Sequence, residues 1–215
     1  MMDPQFNRNF VPMVSDELER LILQEIAHRG RANADSEVLD LPCGEGHHAV
    51  AMAKLGARVL AADQSSRETT VRGRALASAV GDRVDFAAAG LREGPLPAGP
   101  FDLVFCHHGI YRLAYPEARR VVRALLKSLR IGGKLFISAY GLHSALGEGY
   151  ADAEKAVEER HSCLTPTLAS AYNITEPVCL YTERNLVTLL FEAGGSVLKT
   201  FTTTHGTVKG VAVRL

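Results

Sequence analysis

Short apolar runs alternate with segments of helical periodicity along most of this chain of 215 residues. The runs have the length of buried strands, and the segments between them carry apolar residues at the spacing of amphipathic helices. We expect strands over 38–41, 59–62, 84–87, 101–106 and 134–139. We expect helices over 45–55, from Ser65 or Ser66 to about Val80, and over 116–129. Such alternation predicts a parallel sheet with right-handed crossovers.

The amino-terminal region adds a helix and a segment without regular structure. Ser15 has the chemistry of an N-cap, and the apolar stripe after it predicts a helix that ends near Gly30. Residues 1–13 before it contain two Phe and two Pro and show no period. We expect this segment to form a flap over the ligand site.

The segment 141–180 interrupts the alternation. It holds a helical piece from about Tyr150 to Arg160 and then a Ser/Thr/Pro-rich stretch that reaches Pro177. It follows the carboxyl end of a predicted strand, where open α/β sheets bind their ligands. We therefore expect an insert that lies as a lid over the site, within a single domain of residues 1–215.

The carboxyl-terminal third predicts how the sheet ends. Gly132-Gly133 is expected to form a turn before the strand 134–139. Thr182 is expected to cap a helix that reaches Ala193. The apolar stretches 196–204 and 208–215 then predict a closing antiparallel hairpin.

Composition and charge favour a small-molecule partner. The formal net charge is zero, whereas a nucleic-acid binder would carry a basic face to neutralise phosphates. The four cysteines form no Cys-x-x-Cys pair, so we expect neither a metal site nor a disulfide framework. The sequence shows no signal peptide and no apolar run of membrane-spanning length. We therefore expect a cytoplasmic protein, monomer or homodimer, without membrane or nucleic-acid partners.

The stretch Val38–Ser66 carries the candidate chemistry. A strand ends on Asp40, a glycine-bearing turn follows, and after a helix the second strand ends on Asp63. Glycine allows a backbone to take positive φ and to approach a ligand closely. A carboxylate after the second strand can accept a hydrogen bond from each of two ribose hydroxyls. This order predicts a nucleotide-type cofactor site at one edge of the sheet.

The run VLDLPCGEGHH from Val38 resembles motif I of the class I S-adenosylmethionine-dependent methyltransferases. The resemblance continues through 57–64, 101–106, the stretch LRIGGKLFISAY and the terminal helix and hairpin, and it omits only 141–180. It implies a Rossmann-like α/β fold, a seven-stranded, mostly parallel sheet whose last strand is antiparallel, with helices on both faces. It also implies S-adenosyl-L-methionine as cofactor and a small-molecule methyl acceptor.

The same resemblance assigns cofactor-binding residues. Asp40, Gly44 and Gly46 would line the methionine and ribose part of the cofactor. Asp63 would accept the two ribose hydroxyls, and Gln64 would lie against the adenine.

Two positions depart from the family pattern. Pro42 replaces the first glycine of motif I, and its fixed negative φ excludes a positive φ at this point of the cofactor turn. The acid that often follows the third strand is absent, so the adenine contact would come from the backbone at Gly90 and Leu91. A dinucleotide dehydrogenase would want Gly-x-Gly-x-x-Gly, which the proline interrupts, and the fifth strand and hairpin favour the methyltransferase.

Three residues are catalytic candidates. His107 and His108 close the fourth strand, where the family places residues near the transferable methyl group, and Tyr140 ends the fifth. A histidine titrates near neutrality and suits a general base, and His107 would also contact the cofactor. Because neighbouring strand residues point to opposite faces, we expect at most one of the two histidines to enter the site.

The predicted function is O-, N- or S-methylation of a small molecule by in-line transfer. Two alternatives stay open at this point. One is a detoxifying methyltransferase for a chalcogen or thiol, of the tellurite or thiopurine type, and the other is a non-catalytic scaffold that binds the cofactor. Methylation of protein or RNA is disfavoured by the neutral charge and by the lack of an Asn/Asp-Pro-Pro-aromatic motif.

Overall fold

A computed structural model describes residues 16–32, 34–92 and 94–215. The predicted flap 1–13 and the predicted cap Ser15 lie outside these residues. The strands are β1 Glu37–Asp40, β2 Arg58–Asp63, β3 Val84–Ala88, β4 Phe101–Cys106, β5 Leu129–Ala139, β6 Gly195–Thr202 and β7 Val208–Arg214. The α-helices of the described ranges are α1 Glu17–Arg31, α2 His47–Lys54, α3 Glu68–Ala77, α4 Tyr115–Ser128, α5 Pro166–Tyr172 and α6 Glu183–Glu192.

The strands form one sheet in the order β3-β2-β1-β4-β5-β7-β6. All ladders are parallel except those of β7, which runs antiparallel to both β5 and β6. The predicted Rossmann-like fold with its antiparallel hairpin is confirmed. The chain leaves β1 toward β2 on one side and returns to β4 on the other. This switch point opens a crevice at the carboxyl ends of β1 and β4, where ligands bind in open α/β sheets.

Helices cover both faces of the sheet. On one face α4 and α6 pack through residues such as Val122, Leu125 and Leu189. On the other face α1, α2 and α3 pack through Ile22, Val71 and their neighbours. Every residue of β4 is buried, as expected of a central strand that is covered on both sides.

Helix starts follow local side-chain chemistry. Thr182 caps α6 as predicted, and its hydroxyl accepts from the backbone N–H of Asn185, whose side chain accepts from the N–H of Thr182 in return. The first helix is capped by Asp16 rather than Ser15. An Asp16 carboxylate oxygen accepts from the backbone N–H groups of Leu18 and Glu19, which the helix leaves without partners.

The predicted Gly132-Gly133 turn is wrong, because both glycines lie within β5. The strand is irregular there, since Gly132 takes φ +79° and the register against β4 shifts between Phe101 and Leu103. A Cβ on Gly133 would stand 3.0 Å from the carbonyl oxygen of Asp102. Glycine is therefore needed for close strand approach and not for a chain reversal.

The predicted helix over 150–160 is also wrong. That stretch forms turns and a short 3-10 helix over Val157–Glu159. The buried guanidinium of Arg160 donates to the carbonyl oxygens of Leu180 (2.9 Å) and Lys155 (2.7 Å), and these bonds fold the segment back on itself. The α-helix of the insert forms instead at Pro166–Tyr172, where Thr165 is the N-cap and proline occupies the first turn.

We expect Asp102→Asn to lower the free energy of unfolding by about 2 kcal/mol at neutral pH, because the buried carboxylate holds three donors. It accepts from Arg29 (2.6 Å), Arg130 (2.6 Å) and the backbone N–H of Glu37 (2.9 Å). These bonds outweigh the effect of burial and lower the pKa of Asp102. The stabilisation is thus present at pH values above the ordinary pKa of an aspartate, and it is lost as the pH falls below that pKa. Urea unfolding across acidic pH measures this, with the exposed Asp82→Asn as control; an equal difference at every pH would contradict it.

Candidate active site

A cavity of about 1080 Å³ opens at the carboxyl ends of the parallel strands. Its wall consists of the last residues of β2 and β3, of the loops that follow β1, β2, β3 and β4, and of the first turn of α2, joined by one residue of the insert, Glu176. The volume lies just above the usual range for small-molecule sites, which runs from about 300 to 1,000 Å³. Space is therefore available for a cofactor together with a second small molecule.

The loop after β1 is shaped by two glycines with positive φ. Gly44 takes φ +55° and lines the cavity, and nothing lies within 4 Å of the position a Cβ would occupy. Gly46 takes φ +80° at the N-cap of α2, where a Cβ would stand 3.2 Å from Cγ1 of Val71. Gly46 backs the loop and does not belong to the cavity lining, whereas Pro42 does.

Asp63 joins this loop to the end of β2. One carboxylate oxygen accepts from the N–H of Gly44 (2.8 Å), and the other accepts from the N–H of Gln64 (2.8 Å). Asp63 and Gln64 both line the cavity. Each carboxylate oxygen has two lone pairs, so both oxygens retain capacity for a ligand hydroxyl.

The loop after β3 supplies the third part of the wall. Gly90 and Leu91 line the cavity. They follow β3, where this sequence lacks the acidic residue that the family pattern often has. The N–H of Ala89 donates to the carbonyl oxygen of Asp63 (2.9 Å), which keeps this loop against the end of β2.

Asp40 lies behind the wall and not in the lining. Its side chain is fully buried, and neither carboxylate oxygen has a hydrogen-bond partner among the described residues. Burial raises the pKa of Asp40 to about 7, against the opposing effect of the nearby His48. Asp40 is therefore a buried acid near the cavity residues His48 and Asp63.

Both His107 and His108 line the cavity, so the expectation that at most one of them enters is wrong. The physical reason is the backbone of His108, whose φ of +49° breaks the alternation of side chains just after β4 ends. Its N–H donates to the hydroxyl of Ser138 (3.0 Å), which holds the residue in this conformation.

The two rings have different surroundings. His107 bonds through Nε2 to a carboxylate oxygen of Asp16 (3.1 Å). Nδ1 of His108 is buried and has no partner among the described residues, and burial lowers the pKa of this ring to about 3. Tyr140 packs on His108 with ring centroids 4.5 Å apart and does not belong to the cavity lining. Burial raises the pKa of Tyr140 to about 12, so its phenol stays protonated at neutral pH.

The chain resembles known proteins both in sequence and in fold. A family model described as methyltransferase domain matches residues 38–133. The demethylmenaquinone methyltransferase of Clavibacter sepedonicus is 30% identical over 165 residues, which cover 75% of this chain and 66% of that protein. The chain belongs to the class I S-adenosylmethionine-dependent methyltransferase family. The resemblance stated from motif I is thus confirmed, and the cofactor that this family implies is S-adenosylmethionine.

A second relative and one solved structure are also similar to this chain. A ubiquinone biosynthesis O-methyltransferase of Xanthomonas axonopodis pv. citri is 36% identical over 107 residues, or 49% of this chain and 43% of that protein. The chain thus spans 66% or less of the length of these two relatives. A crystal structure of a Pyrococcus horikoshii protein superimposes with a TM-score of 0.67 over 94% of this chain and 92% of that one. At 16% sequence identity, this likeness supports the fold alone.

The residues at the cavity fit the cofactor of the family. The side-chain-free wall at Gly44 leaves room for a ligand against the backbone, and the spare lone pairs of Asp63 suit a pair of ribose hydroxyls. The loop at Gly90 offers backbone groups at the neighbouring wall. Among residues 16–32, 34–92 and 94–215, no group of three His, Cys, Asp or Glu side chains could hold a metal ion.

Two parts of the site were not found from the sequence. His48 lines the cavity, and its Nδ1 lies 2.9 Å from Oε1 of Glu19 in α1. Glu176 of the insert also lines it and pairs with Arg92 (3.0 Å), so the insert reaches the cavity at this one residue. Most apolar side chains of the insert pack into a cluster with Tyr111, whereas Val157 and Cys179 belong to the main core. Neither contact has a local sequence signal, because each joins elements far apart in the chain.

The part of the chain that the structure describes contains no helix with both the length and the apolar character needed to cross a bilayer.

Proposed function

We propose that this protein transfers the methyl group of S-adenosylmethionine to a small-molecule acceptor. The observation that carries the proposal is one continuous cavity, which joins the glycine loop and Asp63 to His107 and His108. The glycine loop and Asp63 suit the cofactor. The two histidines lie where a methyl acceptor would contact the bound cofactor. The volume of about 1080 Å³ is consistent with both molecules being bound together.

The residues are proposed to divide into binding and alignment roles. Asp63 accepts the ribose hydroxyls, Gln64 lies against the adenine, and the backbone at Gly90 and Leu91 contacts its edge. Pro42 and the glycines of the loop after β1 shape the wall beside the methionine part. Holding an acceptor in line with the donor provides much of the acceleration in such a displacement.

An acceptor hydroxyl is favoured over an amine or a thiol. When bound, S-adenosylmethionine supplies an electrophilic methyl group on a sulfonium. A hydroxyl must lose a proton as it is methylated, and His107 is a cavity residue whose pKa is lowered by burial, so that its ring is neutral at physiological pH. The printed name of the Xanthomonas relative, an O-methyltransferase, supports the same chemistry.

The net charge and the cysteines of the chain support a proposed partner and a proposed location. A formal net charge of zero supports a small acceptor over a nucleic acid. The four cysteines are unpaired, as suits a reducing compartment such as the cytoplasm. We retain a monomer or a homodimer as the proposed state.

Transfer of a methyl label tests the proposed function. The protein is incubated with methyl-labelled S-adenosylmethionine and separate panels of phenols, amines and thiols. We expect labelled product from the phenols, with one equivalent of S-adenosylhomocysteine formed for each methyl group transferred. His107→Ala is expected to reduce transfer by about 100-fold or more, because general bases contribute roughly 10² to 10⁴ in rate. Tight cofactor binding without transfer to any panel would contradict the proposal and favour a scaffold.

A further inference from the structure

The first turn of α1 lies against the histidines of the cavity. Asp16 uses one carboxylate oxygen to cap the helix at the N–H of Leu18 (2.8 Å). Its other oxygen lies 3.1 Å from Nε2 of His107 and accepts from Nζ of Lys209 (2.7 Å). One carboxylate thus connects a helix terminus, a cavity residue and β7.

The charge of Asp16 is fixed by this arrangement. Burial alone would raise its pKa, but the bonds with His107 and Lys209 outweigh that effect and hold the pKa well below the usual range. The Lys209 side chain is 4% exposed, so its ammonium depends on this partner. An ionised carboxylate only accepts hydrogen bonds. Nε2 of His107 must therefore carry the proton, which leaves Nδ1 as the ring nitrogen with a free lone pair.

A second carboxylate–histidine pair lies beside the first. Glu19, one turn along α1, bonds to His48, whose ring meets the ring of His107 edge-on with centroids 5.1 Å apart. Burial favours the neutral form of both histidines. For His48, the bond to Glu19 and the charge of Asp40 outweigh burial and raise the pKa.

For His107 the balance is reversed. Burial lowers its pKa, Asp16 only partly compensates, and the positive charges of His48 and Lys209 lower it further. The His108 ring, which also contacts His107, is neutral at physiological pH, and the stacked Phe105 ring carries no charge. Two neighbouring histidines with pKa values moved in opposite directions are typical of an acid–base site.

We propose that Asp16 is a positioning residue for His107, which it holds as the Nε2–H tautomer so that Nδ1 can accept the proton of an acceptor hydroxyl. This rests on the proposed function. The acceptor oxygen forms a bond to the methyl carbon, and the carbon–sulfur bond breaks with its electron pair left on sulfur. The hydroxyl proton passes to Nδ1, and the resulting imidazolium is stabilised by Asp16 until the proton leaves to solvent.

Proton–nitrogen correlation NMR of the histidine rings tests this without an acceptor. We expect the wild-type protein to show His107 as the Nε2–H tautomer at neutral and mildly alkaline pH. In Asp16→Asn we expect this preference to be lost and the His107 pKa to fall by about one unit, because a neighbouring negative charge is removed. Glu17→Gln is the matched control on the same turn, since the ion pairs of Glu17 with described residues are surface pairs with Arg20 and Lys199.

Lys209→Met provides a second variant. In it, Asp16 keeps its hydrogen bond with His107 and loses the one from the lysine ammonium group. We expect the Nε2–H tautomer to persist in it. A wild-type ring with the proton on Nδ1, or an Asp16→Asn protein whose His107 tautomer and pKa equal those of wild type, would overturn the inference. Cofactor binding and methyl transfer by the wild-type protein decide the proposed function separately, so the two failures are distinguishable.

Discussion

Replacing Asp63 by alanine is expected to weaken binding of S-adenosylmethionine by about 100-fold or more. A hydrogen bond to a charged group is worth about 1.5 to 3 kcal/mol, and the variant would lose the two bonds that we propose to the ribose. A total of about 3 kcal/mol corresponds to a factor near 100 in the dissociation constant. The change also removes the acceptor of the Gly44 N–H, which is one of the hydrogen bonds between the loop after β1 and β2. Isothermal titration calorimetry measures the effect.

Asp85→Ala is the matched control for this change. Asp85 lies on the neighbouring strand β3, is exposed and does not line the cavity. We expect its affinity for S-adenosylmethionine to equal that of wild type. Equal affinities for all three proteins would show that Asp63 does not hold the ribose.

The second large effect is expected at Asp40, where the Asn variant should be more stable than wild type by about 2 to 4 kcal/mol at pH 8. Burial raises the pKa of Asp40 from 3.8 to about 7, and each unit corresponds to about 1.4 kcal/mol. The pKa of Asp40 is higher in the folded state than in the unfolded state. The wild-type protein is therefore most stable at pH values below the unfolded-state pKa, and it loses stability as the pH rises to about 7.

Urea unfolding of wild type and Asp40→Asn from about pH 5 to pH 8 measures this difference. We expect the gap in unfolding free energy to widen up to about pH 7 and to level off above it. The exposed Asp35→Asn serves as control and should follow wild type throughout. A gap that stays constant with pH, or an Asn variant that is less stable at pH 8, would show that Asp40 is stabilised in its charged form.

Elements with a local signal were predictable from the sequence. The periods of the apolar residues are properties of single segments, and β4 matches its predicted range 101–106. The capping box of Thr182 and Asn185 is likewise local. The fold of 150–160 depends instead on Arg160 and the carbonyl oxygen of Leu180, which lies twenty positions further along the chain. No window of sequence contains that contact, and the helical pattern of the stretch was misleading.

In the candidate site, too, contacts within one motif were predictable, and contacts between distant parts of the chain were not. Gly44 and Asp63 stand within one motif, and the structure brings them into contact. Asp16 lies 91 positions from His107 and 193 from Lys209, so their association arises only when α1, β4 and β7 pack together. That both His107 and His108 enter the cavity depends on one positive φ, which histidine does not signal in a sequence.

Equilibrium binding of S-adenosylmethionine to the unmodified protein tests the central claim most directly. Titration calorimetry should show one molecule bound per chain, with displacement by S-adenosylhomocysteine and no binding of a nicotinamide dinucleotide. This outcome follows if the cavity at the carboxyl ends of β1 and β2 holds the cofactor. No heat of binding with S-adenosylmethionine at millimolar concentration, or preferential binding of the dinucleotide, would contradict the account.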